Sequence, residues 1–244
     1  MRIQGILLLK VGPQYALRPV GLLVLLLCFH CLHTKGSAQE KSKEFWPEVD
    51  VYVPVNEKVR LFFLFTITKS EETKQNTEGQ FGAHIDYTVS KRLILRAGYR
   101  YGFSLTEEDP YEEHRPILEQ SIRQHLPLKT LLTDRNREEF RFVNGKFSFR
   151  YRNRVTLERE FRLRRRSITP YGQLEAYHDS RFDVWNRNRL TAGVQIQLRK
   201  GLPLITRLVP RRELVLDVYY TKQNDSRSEP HHIGALGVAF QIHL

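Results

Sequence analysis

Between Phe147 and Arg164 the chain reads FSFRYRNRVTLEREFRLR, and this stretch constrains the fold more than any other. Taken alternately, Phe147, Phe149, Tyr151, Asn153, Val155 and Leu157 form one set. Ser148, Arg150, Arg152, Arg154, Thr156, Glu158 and Glu160 form the other. A period of two is that of a β-strand, with one face apolar and aromatic and the other charged. A soluble sheet with one wet face could carry a single strand like this. A membrane barrel with a polar lumen carries the pattern in every strand. The test is whether it repeats.

It does. Val49, Val51, Val53 and Val55 alternate in the first segment, and Val59, Leu61, Phe63, Phe65 and Ile67 in the second. Phe81, Ala83, Ile85, Tyr87 and Val89 oppose Gly82, His84, Asp86 and Thr88. Leu93, Leu95, Ala97, Tyr99, Tyr101 and Phe103 oppose Arg96, Gly98, Arg100 and Gly102. Segments Pro116–Pro127 and Leu132–Val143 are weaker, and apolar residues cover only half of the outer face of the second. Asn144-Gly145 is a strong hairpin signal. Ile168–His178, Arg187–Leu198, Glu213–Thr221 and Ile233–Leu244 complete the series. Acidic Thr106–Arg115, Asp179–Asn186 and Asn224–His231 read as loops, and Lys200–Arg212 as a long connection on the periplasmic side.

Eleven candidate strands of roughly 10–12 residues result, the length that a tilted membrane strand needs. Bacterial single-chain barrels have an even number. Either the first segment lies outside the barrel, leaving ten, or one strand is hidden, giving twelve. The expected fold is therefore an all-β, antiparallel transmembrane barrel of about 10–12 strands over residues 39–244. Trp46, Phe103, Phe161, Trp185 and Tyr220 are candidates for its interfacial girdles.

Residues 1–38 differ. Val20–Cys31 is an apolar run of 12 residues, preceded by Arg2, Lys10 and Arg18 and followed by Gly36-Ser37-Ala38. This is the pattern of a secretory signal cut after Ala38, and the run is too short to span a bilayer. A bulky Leu27 before Cys28 argues against a lipoprotein site. Cys28 and Cys31 are the chain's only cysteines, so the exported part carries no disulfide. Removing the signal takes away Arg2, Lys10, Arg18 and Lys35 and no acid, lowering the net charge from +12 to +8. On a chain whose arginines alternate with aromatics, that surplus points to a lumen lining or anionic lipid, not to nucleic acid.

The inward faces collect Arg96, Arg100, Arg123, Arg135, Arg137, Arg141, Arg150, Arg152, Arg154, Arg187 and Arg189. Facing them are Glu119, Glu139, Glu158, Glu160, Glu175 and Asp217. In a narrow lumen such side chains would fill the space as a ladder of ion pairs. An anion-selective constriction is the sharper alternative. For catalysis, His84, His125, His178, Ser121 and Asp86 are the candidates, but no G-x-S-x-G or metal-ligand spacing supports them, so no catalytic, cofactor or metal residues are assigned. An enzyme is not expected.

The order HRPILEQSIR, DRNREEFRF, FRYRNRVTLEREF, VWNRNRLTAGVQIQL and LDVYYTKQN, followed by an apolar alternating end, resembles the exported family called domain of unknown function 2490, over about Phe45–Leu244. The resemblance implies an outer-membrane β-barrel and supplies no catalytic residues. The chain departs from it at the short Asn144-Gly145 connection. The resulting expectation is a monomeric outer-membrane barrel of a Gram-negative-type cell, structural or binding. It contacts outer-membrane lipid and offers Gly237–Leu244 to the barrel-assembly machinery. Its alternatives are a small anion channel or, behind it, a lipid-modifying enzyme.

Overall fold

Every described residue between Lys41 and Leu244 belongs to a strand or to a connection between strands. The computed structural model describes residues 41–70, 76–106, 110–163, 166–198, 213–227 and 229–244. The strands are β1 (Lys41–Pro54), β2 (Val59–Ser70), β3 (Asn76–Thr88), β4 (Leu93–Ser104), β5 (Glu112–Leu126) and β6 (Thr130–Val143). They continue with β7 (Lys146–Arg159), β8 (Phe161–Leu163), β9 (Arg166–Asp179), β10 (Val184–Leu198), β11 (Glu213–Asp225) and β12 (His232–His243). The signal segment and the Lys200–Arg212 connection lie outside the described residues.

Neighbours in sequence pair antiparallel, and β7 and β8 both pair with β9, so they form one strand interrupted at Glu160. The barrel therefore has eleven strands, and β1 belongs to it. Neither the ten nor the twelve expected from the even-number rule is found. Closure is by a parallel pair, β1 with β12, in register from Lys41↔His232 to Tyr52↔His243. An odd strand count forces this, because alternating directions leave the first and last strands pointing the same way. Antiparallel closure would have required the even count.

The seam matches large against small. On the inner face Trp46 lies opposite Gly237 and Glu48 opposite Ala239. Gly237 has a specific reason: a Cβ there would come within 2.0 Å of the Tyr219 ring, which lies across it. At the opposite wall, Asn144 and Gly145 take φ of 47° and 77°, the left-handed pair that a two-residue hairpin turn demands.

Polarity is inverted relative to a soluble protein. Leu118, Ile122, Leu174, Leu236 and Phe240 are exposed, while Glu113, Glu139, Asp179, Arg137 and Arg150 are buried. Apolar residues out and charges in, strand after strand, is the arrangement of outer-membrane β-barrels. The parity read in the Phe147–Arg164 stretch holds throughout β7. One aromatic departs from the expected girdles: Trp46 faces the lumen, where its indole donates to Glu44 at 2.6 Å and Arg189 lies 5.0 Å from its ring. It shares parity with buried Asp50, which is why it points inward. Phe161, Trp185 and Tyr220 are exposed on the outside.

Candidate functional site

The lumen between β4 and β10 is filled by guanidinium–carboxylate pairs. Each inward arginine comes from a strand whose odd or even positions are committed to the interior by the apolar residues on the other side. Tilted antiparallel neighbours then bring charges from separate strands to one level.

Glu175 on β9 is the hub. Arg135, Arg152 and Arg154 reach it at 3.0, 2.9 and 3.1 Å, and Arg189 lies at 3.9 Å. The Tyr177 hydroxyl donates to Glu175 at 2.6 Å and accepts from Arg152 at 3.0 Å. The guanidinium carbon of Arg152 sits 4.6 Å from the Tyr177 ring centre, with those of Arg187 and Arg189 both at 5.5 Å. A ring face is electron-rich, so it spaces cations that would otherwise repel. Above the hub, Glu139 receives Arg152 at 2.8 Å and Arg137 at 3.7 Å. Beside it, Glu119 receives Arg137 at 2.6 Å and Arg135 at 3.6 Å.

Toward the end where β6 turns into β7, Glu113 binds both Arg115 and Arg141. Asp179 binds Arg150 at 3.0 Å and Arg181 at 2.8 Å, with Arg141 at 3.6 Å. Burial lifts the Tyr111 hydroxyl above its ordinary range, and the neighbouring Glu113 carboxylate adds to the shift. Thus Glu113, Arg115 and Asp179, which an acidic, loop-like sequence concealed, are strand residues in buried pairs. Their only sequence signal was parity with Glu119 on β5 and with Glu175 on β9.

Of the charges expected in the cluster, Arg96, Arg137, Arg141, Arg150, Arg152, Arg154, Arg189, Glu119, Glu139 and Glu175 are brought together. Others stand apart. Asp217 is held by the Tyr171 hydroxyl at 3.0 Å and Gln195 at 3.4 Å, with no arginine among the described residues. Arg100, Arg123 and Glu158 enter no ion pair among the described residues; Arg100 and Arg123 each leave a buried Nε without a partner. Asp86 is clamped by Arg60 at 2.7 Å and Arg96 at 2.5 Å. His84 stacks on Phe62 with both ring nitrogens unbonded. His178 faces outward against Trp185. The lumen is also segregated by charge: the inner faces of β11 and β12 carry no lysine or arginine among the described residues.

A cavity of about 810 Å³ lies at the end where β11 begins, lined by His125, Lys129, Glu158, Glu160, Gln195, Gln197 and Glu213 among others. Hydrogen bonds from Arg162 and Ser167, both at 3.0 Å, hold the Glu160 carboxyl below its usual range. His125 is thus at a polar mouth, apart from the main network.

A family model described as "Protein of unknown function (DUF2490)" matches residues 43–230. Among solved structures, the beta domain of the Bordetella autotransporter Brka is similar at 14% identity and a TM-score of 0.45, over 75% of this chain and 82% of that one. The siderophore receptor PirA from Pseudomonas aeruginosa is similar at 9% identity and a TM-score of 0.28, over 70% of this chain and 32% of that one. The chain thus spans about a third of the receptor's length. No curated protein matches it.

Proposed function

The chain belongs to the DUF2490 family, and from that membership together with its filled lumen we propose that it serves as a non-conducting outer-membrane β-barrel, a structural or binding element and not a pore or an enzyme. The observation that carries this reading is the network centred on Glu175, Glu139 and Glu119, each of whose arginines is paired with a carboxylate of the lumen wall. An anion-selective pore needs cations facing water. Here they face acids.

Planar-bilayer recording on the purified barrel tests this. No unitary conductance is expected; stepwise, anion-selective openings would overturn the reading in favour of a channel. Altered lipid in the wild type that is absent from a deletion strain would favour an enzyme.

The same reading assigns β12 to recognition by the barrel-assembly machinery. Phe240 is 49% exposed on the lipid side, and the chain closes at Leu244, whose amide donates to the Tyr52 carbonyl at 2.9 Å. A double change, Phe240→Asp with Leu244→Asp, is expected to leave the protein out of the outer membrane and without a heat-modifiable gel band. A normal band in that fraction would refute it.

A further inference from the structure

The lipid-facing wall has a polar interruption at mid-height on β5, β6 and β7. At mid-height, β3 and β4 present Ala83, Ile85, Leu95 and Ala97, and β10 to β12 present Ala192, Val194, Val218 and Leu236. On β5, β6 and β7 the equivalent outward positions are Gln120, Asp134, Asn136, Glu138 and Asn153. Their parity is opposite to that of buried Glu119, Arg137, Glu139 and Arg152, so they project outward. Register makes them contiguous: Gln120↔Asn136 joins β5 to β6, and Asn136↔Asn153 joins β6 to β7.

The patch is organised. The Asn153 amide donates to Asp134 at 2.7 Å and to Asn136 at 2.9 Å, and the Tyr151 hydroxyl donates to the same Asn136 oxygen. Glu138 and Gln120 are exposed and form no hydrogen bond among the described residues. Apolar side chains bracket it along the strands. On one side Phe140 pairs with Phe149 and Phe142 with Phe147, at ring separations of 5.6 and 5.2 Å. On the other lie Leu132, Val155 and Leu157. From Leu132 to Phe140 the strand runs about 26 Å, or about 20 Å of depth at a usual barrel tilt. The patch therefore falls within the apolar belt and not beyond its rim. Two carboxylates held against lipid tails have no solvation there.

We propose that this patch is a lateral docking surface, inside the membrane, for a second membrane-spanning protein that presents arginine, lysine or amide donors at the same depth. The charge on the patch selects the occupant. Two of its donors, the Asn153 amide and the Tyr151 hydroxyl, are used within the patch, so with two carboxylates what it offers a partner is mainly acceptors. A second copy turned about the membrane normal would set Asp134 and Glu138 against themselves. Nor does the rest of the barrel supply the complement at this depth, because its outward cations among the described residues, Lys43, Lys69, Arg159 and Lys222, lie toward strand ends. The inference rests on the barrel's being embedded in the outer membrane.

The experiment replaces Gln120 by a photo-reactive phenylalanine analogue in the full chain, in its own cells, with the same analogue at Leu236 as the reference. Leu236 should yield lipid adducts, which reports embedding separately. Position 120 should yield an adduct with another protein, its cross-linked peptide lying in a membrane-spanning segment that carries Arg, Lys, Asn or Gln. Asp134→Lys with Glu138→Lys should cut that adduct at least tenfold. If this variant fails to assemble, Asp134→Asn with Glu138→Gln, which keeps the shape, should cut it at least threefold. Lipid adducts alone at position 120, a self-adduct, or an adduct indifferent to both charge changes would each overturn the proposal. Absence of lipid adducts at Leu236 would instead remove the membrane reading.

Discussion

Glu175→Ala is expected to destabilise the folded barrel by about 3–5 kcal/mol, the usual cost of stripping one partner from a buried pair. Three arginines stand within 3.1 Å of this carboxylate and a fourth at 3.9 Å, while Glu175 itself is only 4% exposed. Without it the guanidiniums of Arg135, Arg152, Arg154 and Arg189 face one another, and the Tyr177 hydroxyl loses its acceptor. They cannot retreat into bulk water, because both strand neighbours and the ring hold them. Glu175→Gln keeps an acceptor oxygen and removes the charge, so its loss should be smaller. Adding Arg154→Gln to it should recover part of that loss, since the pair shares one network and its effects will not add. Denaturant midpoints of the barrel in detergent read these differences. The exposed Glu160–Arg162 pair is the control, and Glu160→Ala should leave the midpoint unmoved. A Glu175→Ala midpoint equal to that of the wild type would show that the network is not what holds the interior closed.

Why was so much of this wall legible from residues alone? Parity is local. In a strand, Phe149 and Arg150 must point to opposite sides whatever the distant chain does, so in- and out-facing sets follow from two or three neighbours. Partnership is not local. Asp179 lies 29 residues from Arg150, and nothing in the intervening sequence announces the pair. The ends of strands were hardest. Glu112–Arg115 and Asp179 looked like loop because charge normally marks water, whereas in a barrel interior charge marks the core. Trp46 shows the opposite failure: an aromatic near a strand end suggested the interface, yet its parity with Asp50 already placed it inside. The half-polar outer face of β6 was visible too, but its meaning required the register with β5 and β7.

Eleven strands could be counted in the sequence, but the parallel closure was the least legible feature, because it is decided by a pairing between residues nearly the whole chain apart, Lys41 with His232. Its consequence is large and all-or-none. An epitope inserted immediately before Lys41 and another after Leu244 are expected to lie on opposite sides of the membrane. With ten or twelve strands and antiparallel closure they would share a side. The parallel seam sends β1 and β12 in one direction over twelve register pairs, so the start of β1 lies at the end where β12 begins. With the C-terminus facing the periplasm, the epitope before Lys41 should be cut by protease added to intact cells, and the one after Leu244 only after permeabilisation. A second probe reads the seam directly. Val51 and Ile242 are register partners, so cysteines placed there should form a disulfide in the assembled barrel, in a chain whose native cysteines, Cys28 and Cys31, both precede β1. Epitopes exposed together on one side, with no cross-link at that pair, would mean that the barrel closes another way.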